Sequence, residues 1–285
     1  MSQLIDGKVV SAKVREEVRL ETLKLKEEKG IVPGLAVIIV GDDAASRVYV
    51  NNKKKACADV GFVSEEYALP ATTTMPELLN LIDELNERKD INGILCQLPL
   101  PKHLDEKEVI NRIDSSKDVD AFSPVNVGKI TIGEYDFLPC TPAGVMELLK
   151  HYDISADGKN CVVIGRSNIV GKPMGLLLLH QNGTVTICHS KTQNLAEICK
   201  NADILVAAVG RANFVTADMV KEGAVVIDVG MNRVDGKLCG DVKFDEVEKK
   251  ASFITPVPGG VGPMTIGMLM KNTLKAAKIH NNIND

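Results

Sequence analysis

Short apolar runs of strand length alternate with amphipathic helical patterns through almost the whole chain, and that alternation restricts it to an α/β fold with mainly parallel sheets. GLAVIIVGD (34–42) reads as a buried strand, the segment from Ser46 to Gly61 as a helix, and FVSEEYAL (62–69) as a further strand. MPELLNLIDELNERK (75–89) is an amphipathic helix with Pro76 in its first turn. NGILCQLPLP (92–101) is a second buried strand, halted by Pro99 and Pro101, and HLDEKEVINRI (103–113) a short helix. A new series opens with a helix at Thr141 and Pro142. It continues as strands NCVVIGRS, TVTICHS, DILVAAVG and AVVIDVG, with helices KPMGLLLLHQ and NLAEICKNA between them. RVDGKLCGDV carries a DG turn signal for a small hairpin. A Gly/Pro-rich loop then feeds a long last helix that could return to the first domain. The expected division is residues 1–140, completed by 272–285, and residues 141–271.

Three adjacent lysines in SRVYVNNKKKACADVGF pose the first chemical question. With Ser46 as helix cap and Gly61 as stop, Tyr49, Ala56 and Val60 share one face, and at about 100° per residue Lys53 falls within about 40° of its centre. Lys54 and Lys55 point away. An inward lysine one turn from a tyrosine is costly to desolvate, which suggests chemistry. A stem lying along apolar surface with its ammonium in water is the competing explanation.

VVIGRSNIVGKP sits between a buried strand and a helix, where a dinucleotide loop belongs. Gly165 and Gly171 allow close backbone approach, and the helix start offers unpaired N–H groups to phosphate. Ser167 stands at the second glycine of the usual fingerprint, so a tight strand-to-helix turn remains open. The next strand ends in His189, Ser190 and Lys191 with no acid to accept from a ribose 2′-hydroxyl. With Arg166 in the loop, the pocket suits a 2′-phosphate and hence NADP.

Three further features stand out. Gln97 interrupts an apolar strand near its carboxyl end, where it either meets a ligand or satisfies a loop. Asp118 and Asp120 in KDVDAF fit a turn, a metal site or a ligand clamp, and the metal is disfavoured because too few other ligands lie nearby. PVPGGVGPMT is either a plain loop or a ligand-holding one.

Charge and cysteine usage narrow the partners. The net charge of −4 and the absence of tryptophan argue against a nucleic-acid surface. No apolar run reaches membrane-span length, and the start lacks an apolar signal core. Seven cysteines without a CxxC pair suit reduced thiols, so a cytoplasmic protein with a small-molecule partner and no metal is expected.

In this order, YVNNKKKA, GILCQLPLP, KDVDAF, VIGRSNIVGKP and PVPGGVGPMT closely resemble the bifunctional methylenetetrahydrofolate dehydrogenase/cyclohydrolase family over nearly the whole chain. The resemblance implies a homodimer of one-carbon metabolism. Its two domains flank a cleft: an N-terminal α/β catalytic domain and a Rossmann-like NADP-binding domain, with the C-terminal helix returning to the first. It implies oxidation of 5,10-methylenetetrahydrofolate with NADP, then hydrolysis to 10-formyltetrahydrofolate, a product that serves purine biosynthesis. By position it makes Lys53 catalytic with Tyr49 as partner, Gln97 the group that tunes the lysine, and Asp120 the pterin holder. Ser46, Gly259, Gly260 and Val261 match folate contacts, and Arg166, Ser167 and Ser190 match NADP contacts. Gly165, Gly171 and His189 complete the expected cofactor site. Ala121 departs from the family's usual glycine, which matters if the backbone there is left-handed. The alternatives are an NADP-dependent dehydrogenase of a shikimate-like or amino-acid substrate, and a catalytically silent NADP-binding protein.

Overall fold

The structure is a computed structural model and describes residues 2–283. The chain forms two compact units, one made of Met1–Ala12 and Pro139–Thr265, the other of Lys13–Leu138 and Ile266–Asp285.

In the second of these, strand Gly34–Val40 lies between Val63–Leu69 and Gly93–Cys96, all parallel. Gly34–Val40 is buried at every position, as a continuous apolar run in a covered parallel sheet must be. Ala36, Ile38 and Ile94 pack with Leu78, Ile82 and Leu85 of helix Met75–Glu87 and with Val109 of helix Glu106–Arg112. Helix Ala44–Val60 starts earlier than expected. Its cap is Asp43, whose carboxylate accepts from the Ser46 N–H at 2.7 Å, so Ser46 sits inside the first turn rather than capping it. Gly61, at φ 83°, does end that helix. Lys117, also buried, is structural. Its Nζ donates to the carbonyls of Leu85, Asn86 and Arg88, the last turn and exit of the Met75–Glu87 helix. Helix Val261–His280 adds Asn272 to this unit, whose Nδ2 donates to Val119 O and Leu138 O.

The other unit carries a six-stranded parallel sheet in the order Gln3–Leu4, Phe253–Ile254, Val225–Asp228, Ile204–Ala207, Asn160–Ile164, Thr184–Cys188. The chain runs from Asn160–Ile164 to one neighbour, then crosses to the other side, which makes the end of Asn160–Ile164 the topological switch point. Asn232–Val234 and Lys237–Cys239 form the antiparallel hairpin that the DG signal predicts, with Asp235 and Gly236 both at positive φ. Three boundaries differ from expectation. Residues 1–12 belong here and not with the residues that follow them, because Gln3–Leu4 pairs with Phe253–Ile254. The closing helix changes unit after Thr265 rather than at 272, and the helix at Thr141 begins at Cys140. The two-residue strands and helix Pro124–Ile132 carry no periodicity long enough to read from sequence.

Candidate active site and cofactor loop

The helix from Ala44 turns one lysine of its three inward. Lys53 is 8% exposed among Val50, Ala56, Cys57 and Val60, whereas Lys54 and Lys55 are exposed. Lys54 faces Glu66, at 3.9 Å. Lys53 Nζ donates to Gln97 Oε1 at 2.8 Å, and Gln97 Nε2 donates to Leu98 O at 2.8 Å. The second bond decides the first: with its NH₂ group taken by the main chain, the amide must present its carbonyl to the lysine. Gln97 is held at the carboxyl end of Gly93–Cys96 by its own N–H on Ile38 O, 2.8 Å away. Tyr49, one turn before Lys53, is 38% exposed, so it lies at the rim of the apolar face rather than within it. Partial burial raises its phenol above the ordinary range. Ser46 is buried on the same helix.

The two aspartates of KDVDAF have separate jobs. Asp118 accepts from the N–H groups of Phe122 and Ser123 and from Asn126 Nδ2, which makes it the organiser of the turn. Asp120 is half-buried, and its charge falls near the Cys96 thiol. That thiol is pushed up to about 12 by burial first, then by Glu106 and Asp120, with Lys53 opposing. The charges of Lys53 and Asp120 thus act in opposite senses on the same thiol at the end of strand Gly93–Cys96. Ala121 is fully buried at φ 56°, the left-handed conformation that alanine adopts only at a cost of about 1–2 kcal/mol. Ala121→Gly removes that cost but loses a buried methyl worth about 0.8 kcal/mol. Its urea midpoint should correspond to a change of less than about 1 kcal/mol; a larger loss would contradict a strained alanine.

The glycine loop lies at the switch point. Gly165 has φ 131°, and a Cβ there would stand 2.3 Å from Ala208 O; a Cβ on Gly171 would stand 2.2 Å from Gly165 O. Both positions need glycine for space, and Gly165 also for conformation. Ser167 Oγ accepts from the N–H groups of Val170 and Gly171, at 3.2 and 3.3 Å, and so ties the loop to the start of helix Gly171–His180, whose N-cap position is Val170. Gly165 N–H donates to Cys188 O at 2.9 Å, bringing the next strand's end alongside. There His189 Nδ1 accepts from the Lys191 N–H, and Arg166, Ser190 and Lys191 are exposed.

PVPGGVGPMT is clamped by a residue that sequence inspection passes over. Gly7 N–H donates to Gly259 O at 3.0 Å, and a Cβ on Gly7 would fall 1.7 Å from Gly260 O. The signal for it is Asp6 and Gly7 standing directly before the charged amphipathic helix Gly7–Lys29, where Asp6 accepts from the N–H of Lys8 at 2.8 Å.

A glycine-lined loop at the switch point of a parallel sheet is where α/β proteins take dinucleotides, and the class is that of the nucleotide-dependent dehydrogenases. Residues 5–120 match the model of the tetrahydrofolate dehydrogenase/cyclohydrolase catalytic domain, and residues 139–281 that of its NAD(P)-binding domain. The chain is 63% identical over 279 residues to the Bifunctional protein FolD of Acetivibrio thermocellus, with 98% of each covered. The bifunctional methylenetetrahydrofolate dehydrogenase/cyclohydrolase of Campylobacter jejuni superposes with a TM-score of 0.96 at 52% identity, covering 98% of this chain and 99% of that one. The Trypanosoma brucei enzyme, solved with NADP cofactor and inhibitor, gives 0.94 at 41%, covering 98% of both. The chain belongs to the tetrahydrofolate dehydrogenase/cyclohydrolase family.

Proposed function

We propose that this protein oxidises 5,10-methylenetetrahydrofolate with NADP and hydrolyses the methenyl product to 10-formyltetrahydrofolate. The observation that carries this is the half-buried Lys53–Gln97 hydrogen bond, within a chain matched along its length by both domains of the family. Full-length identity of this order favours a folate substrate over a shikimate-like or amino-acid one and over a silent binding protein. An absorbance assay that follows methenyl formation with NADP or NAD, and then its decay, tests both activities; no methenyl signal with either cofactor would refute the proposal.

The loop residues fit NADP. Gly165 and Gly171 leave no side chain between the backbone and a pyrophosphate, and residues 189–191 offer no carboxylate to a ribose hydroxyl. Arg166 and Ser190 would hold the 2′-phosphate, with His189 and Ser167 beside them. When bound, NADP supplies the hydride acceptor. Oxidation asks little of the protein's acids and bases, because the two substrate nitrogens already stabilise the developing cation. Hydrolysis asks more. Attacking water must lose a proton, and a ring nitrogen must gain one before the C–N bond breaks; Lys53 Nζ moves both. Gln97 orients the amine, Tyr49 stands beside it, and Asp120 holds the pterin by accepting from its N–H groups. Ser46, Gly259, Gly260 and Val261 carry folate contacts on the strength of the family resemblance. Arg166→Ala should raise the Michaelis constant for NADP about tenfold more than that for NAD; equal losses with both cofactors would show that Arg166 does not bind the 2′-phosphate.

The protein acts as a cytosolic homodimer in this proposal. None of the seven cysteines is in a disulfide, and among the described residues no helix is long and apolar enough to cross a membrane. The hairpin at 232–239 exposes Val234 and Leu238, 44% and 38% accessible, which suits a contact between copies. Val234→Glu with Leu238→Glu should convert a dimer into a monomer in light scattering. A dimer that survives both charges would exclude the hairpin from the interface.

A further inference from the structure

Two buried carboxylates take no part in the chemistry above. Asp228 ends strand Val225–Asp228 and is 4% exposed. Its Oδ1 accepts from the N–H groups of Gly230 and Asp241, and its Oδ2 from that of Val242, each at 2.9 Å. Asp241 has no exposed surface. Its Oδ2 accepts from the N–H of Val209 at 2.6 Å and of Gly210 at 2.9 Å, while its Oδ1 accepts from the Arg211 N–H and Asn232 Nδ2, both at 2.9 Å. Glycines clear the space for both. A Cβ at Gly230 would lie 2.2 Å from the Asp241 carboxylate, and one at Gly240 1.8 Å from Asp228 Oδ2. Burial of a carboxylate is tolerated only with such a set of donors.

The location of the Asp241 donors gives the clamp its meaning. Val209, Gly210 and Arg211 follow strand Ile204–Ala207, the neighbour of Asn160–Ile164 at the switch point. Ala208, directly before them, donates its N–H to Ile164 O at 2.8 Å, and its carbonyl oxygen is the atom that a side chain on Gly165 would strike. The turn at 208–211 is thus the wall against which the glycine loop packs. Three successive N–H groups on one carboxylate fix that wall, because none can rotate away without stranding a buried charge.

We infer that Asp241 is a positioning residue for the cofactor: by clamping the turn at Val209–Arg211 it holds the Gly165 loop in the shape that accepts NADP. The inference rests on the NADP assignment of that loop, and hydrolysis of methenyltetrahydrofolate, which consumes no NADP, is the internal control. A carboxylate that serves the fold alone would lower both properties together when altered. Asp241→Asn keeps the shape but turns an NH₂ group toward donors that need an acceptor. NADP binding to the full-length protein is measured by calorimetry, beside hydrolysis assayed without cofactor. Parent protein that fails to bind NADP refutes the cofactor assignment itself, and the inference with it. With binding parent protein, Asp241→Asn should bind NADP at least tenfold more weakly and hydrolyse within twofold of the parent. Unchanged affinity, or equal losses of affinity and hydrolysis, would overturn the inference. Should that variant not fold, Asn232→Ala decides, since it removes one donor and leaves the carboxylate: about threefold weaker NADP binding with normal hydrolysis supports the role, and parental affinity overturns it.

Discussion

Lys53→Met is expected to lower hydrolysis of methenyltetrahydrofolate by about 10²-fold or more, the usual loss when a general acid–base group is removed. Methionine keeps most of the apolar stem in a site where Lys53 is 8% exposed, so the protein should remain folded. Dehydrogenase activity should fall less, since hydride transfer needs no proton from Nζ. Lys53→Arg should not restore hydrolysis, because a guanidinium does not give up its proton near neutral pH. Lys54→Met and Lys55→Met alter exposed side chains and should leave both activities near normal. Wild-type hydrolysis by a folded Lys53→Met protein would end the case for this lysine as proton carrier.

Gly165→Ala should be strongly damaging, because it adds both crowding and backbone strain at the cofactor loop. The added carbon meets Ala208 O at 2.3 Å, and φ 131° is foreign to alanine, so a stability loss of about 2–4 kcal/mol is expected together with loss of NADP binding. Gly158→Ala is the control, at φ 67° with open space around it, and should cost only about 1 kcal/mol. Urea midpoints measured with and without NADP separate the two. Equal midpoints for both variants would show that crowding at the loop is not what demands glycine there.

Much of this architecture is legible from local pattern. The alternation of runs identifies the three strands of the sheet around Gly34–Val40 and the four longer strands of the larger sheet, and helical periodicity alone turns Lys53 inward. The pattern fails where a residue's role depends on distant partners. Asp118 and Asp120 look equivalent in KDVDAF, and only the donors at 122, 123 and 126 assign one of them to the turn. Ser46 and Asp43 are both good helix caps, and the carboxylate wins because its oxygen reaches the third helical N–H. The burial of Asp228 and Asp241 is written only faintly, as an acid within two residues of a glycine in VVIDVG and CGDVKF, because the backbone donors that hold each carboxylate come from other segments. Tyr49 shows the limit of a helical wheel, which gives direction but not how far the covering layer extends.

The pairing of Gln3–Leu4 with Phe253–Ile254 also governs timing at the ribosome. Gln3 meets a partner 250 positions later, so the edge of its sheet stays unfinished until those 250 residues have emerged. At roughly 5–20 residues per second, that is a wait of about 10–50 s for the first strand. The sheet that holds Gln3–Leu4 is therefore closed late, whereas strands Gly34–Val40, Val63–Leu69 and Gly93–Cys96 all emerge early enough to pair while synthesis continues.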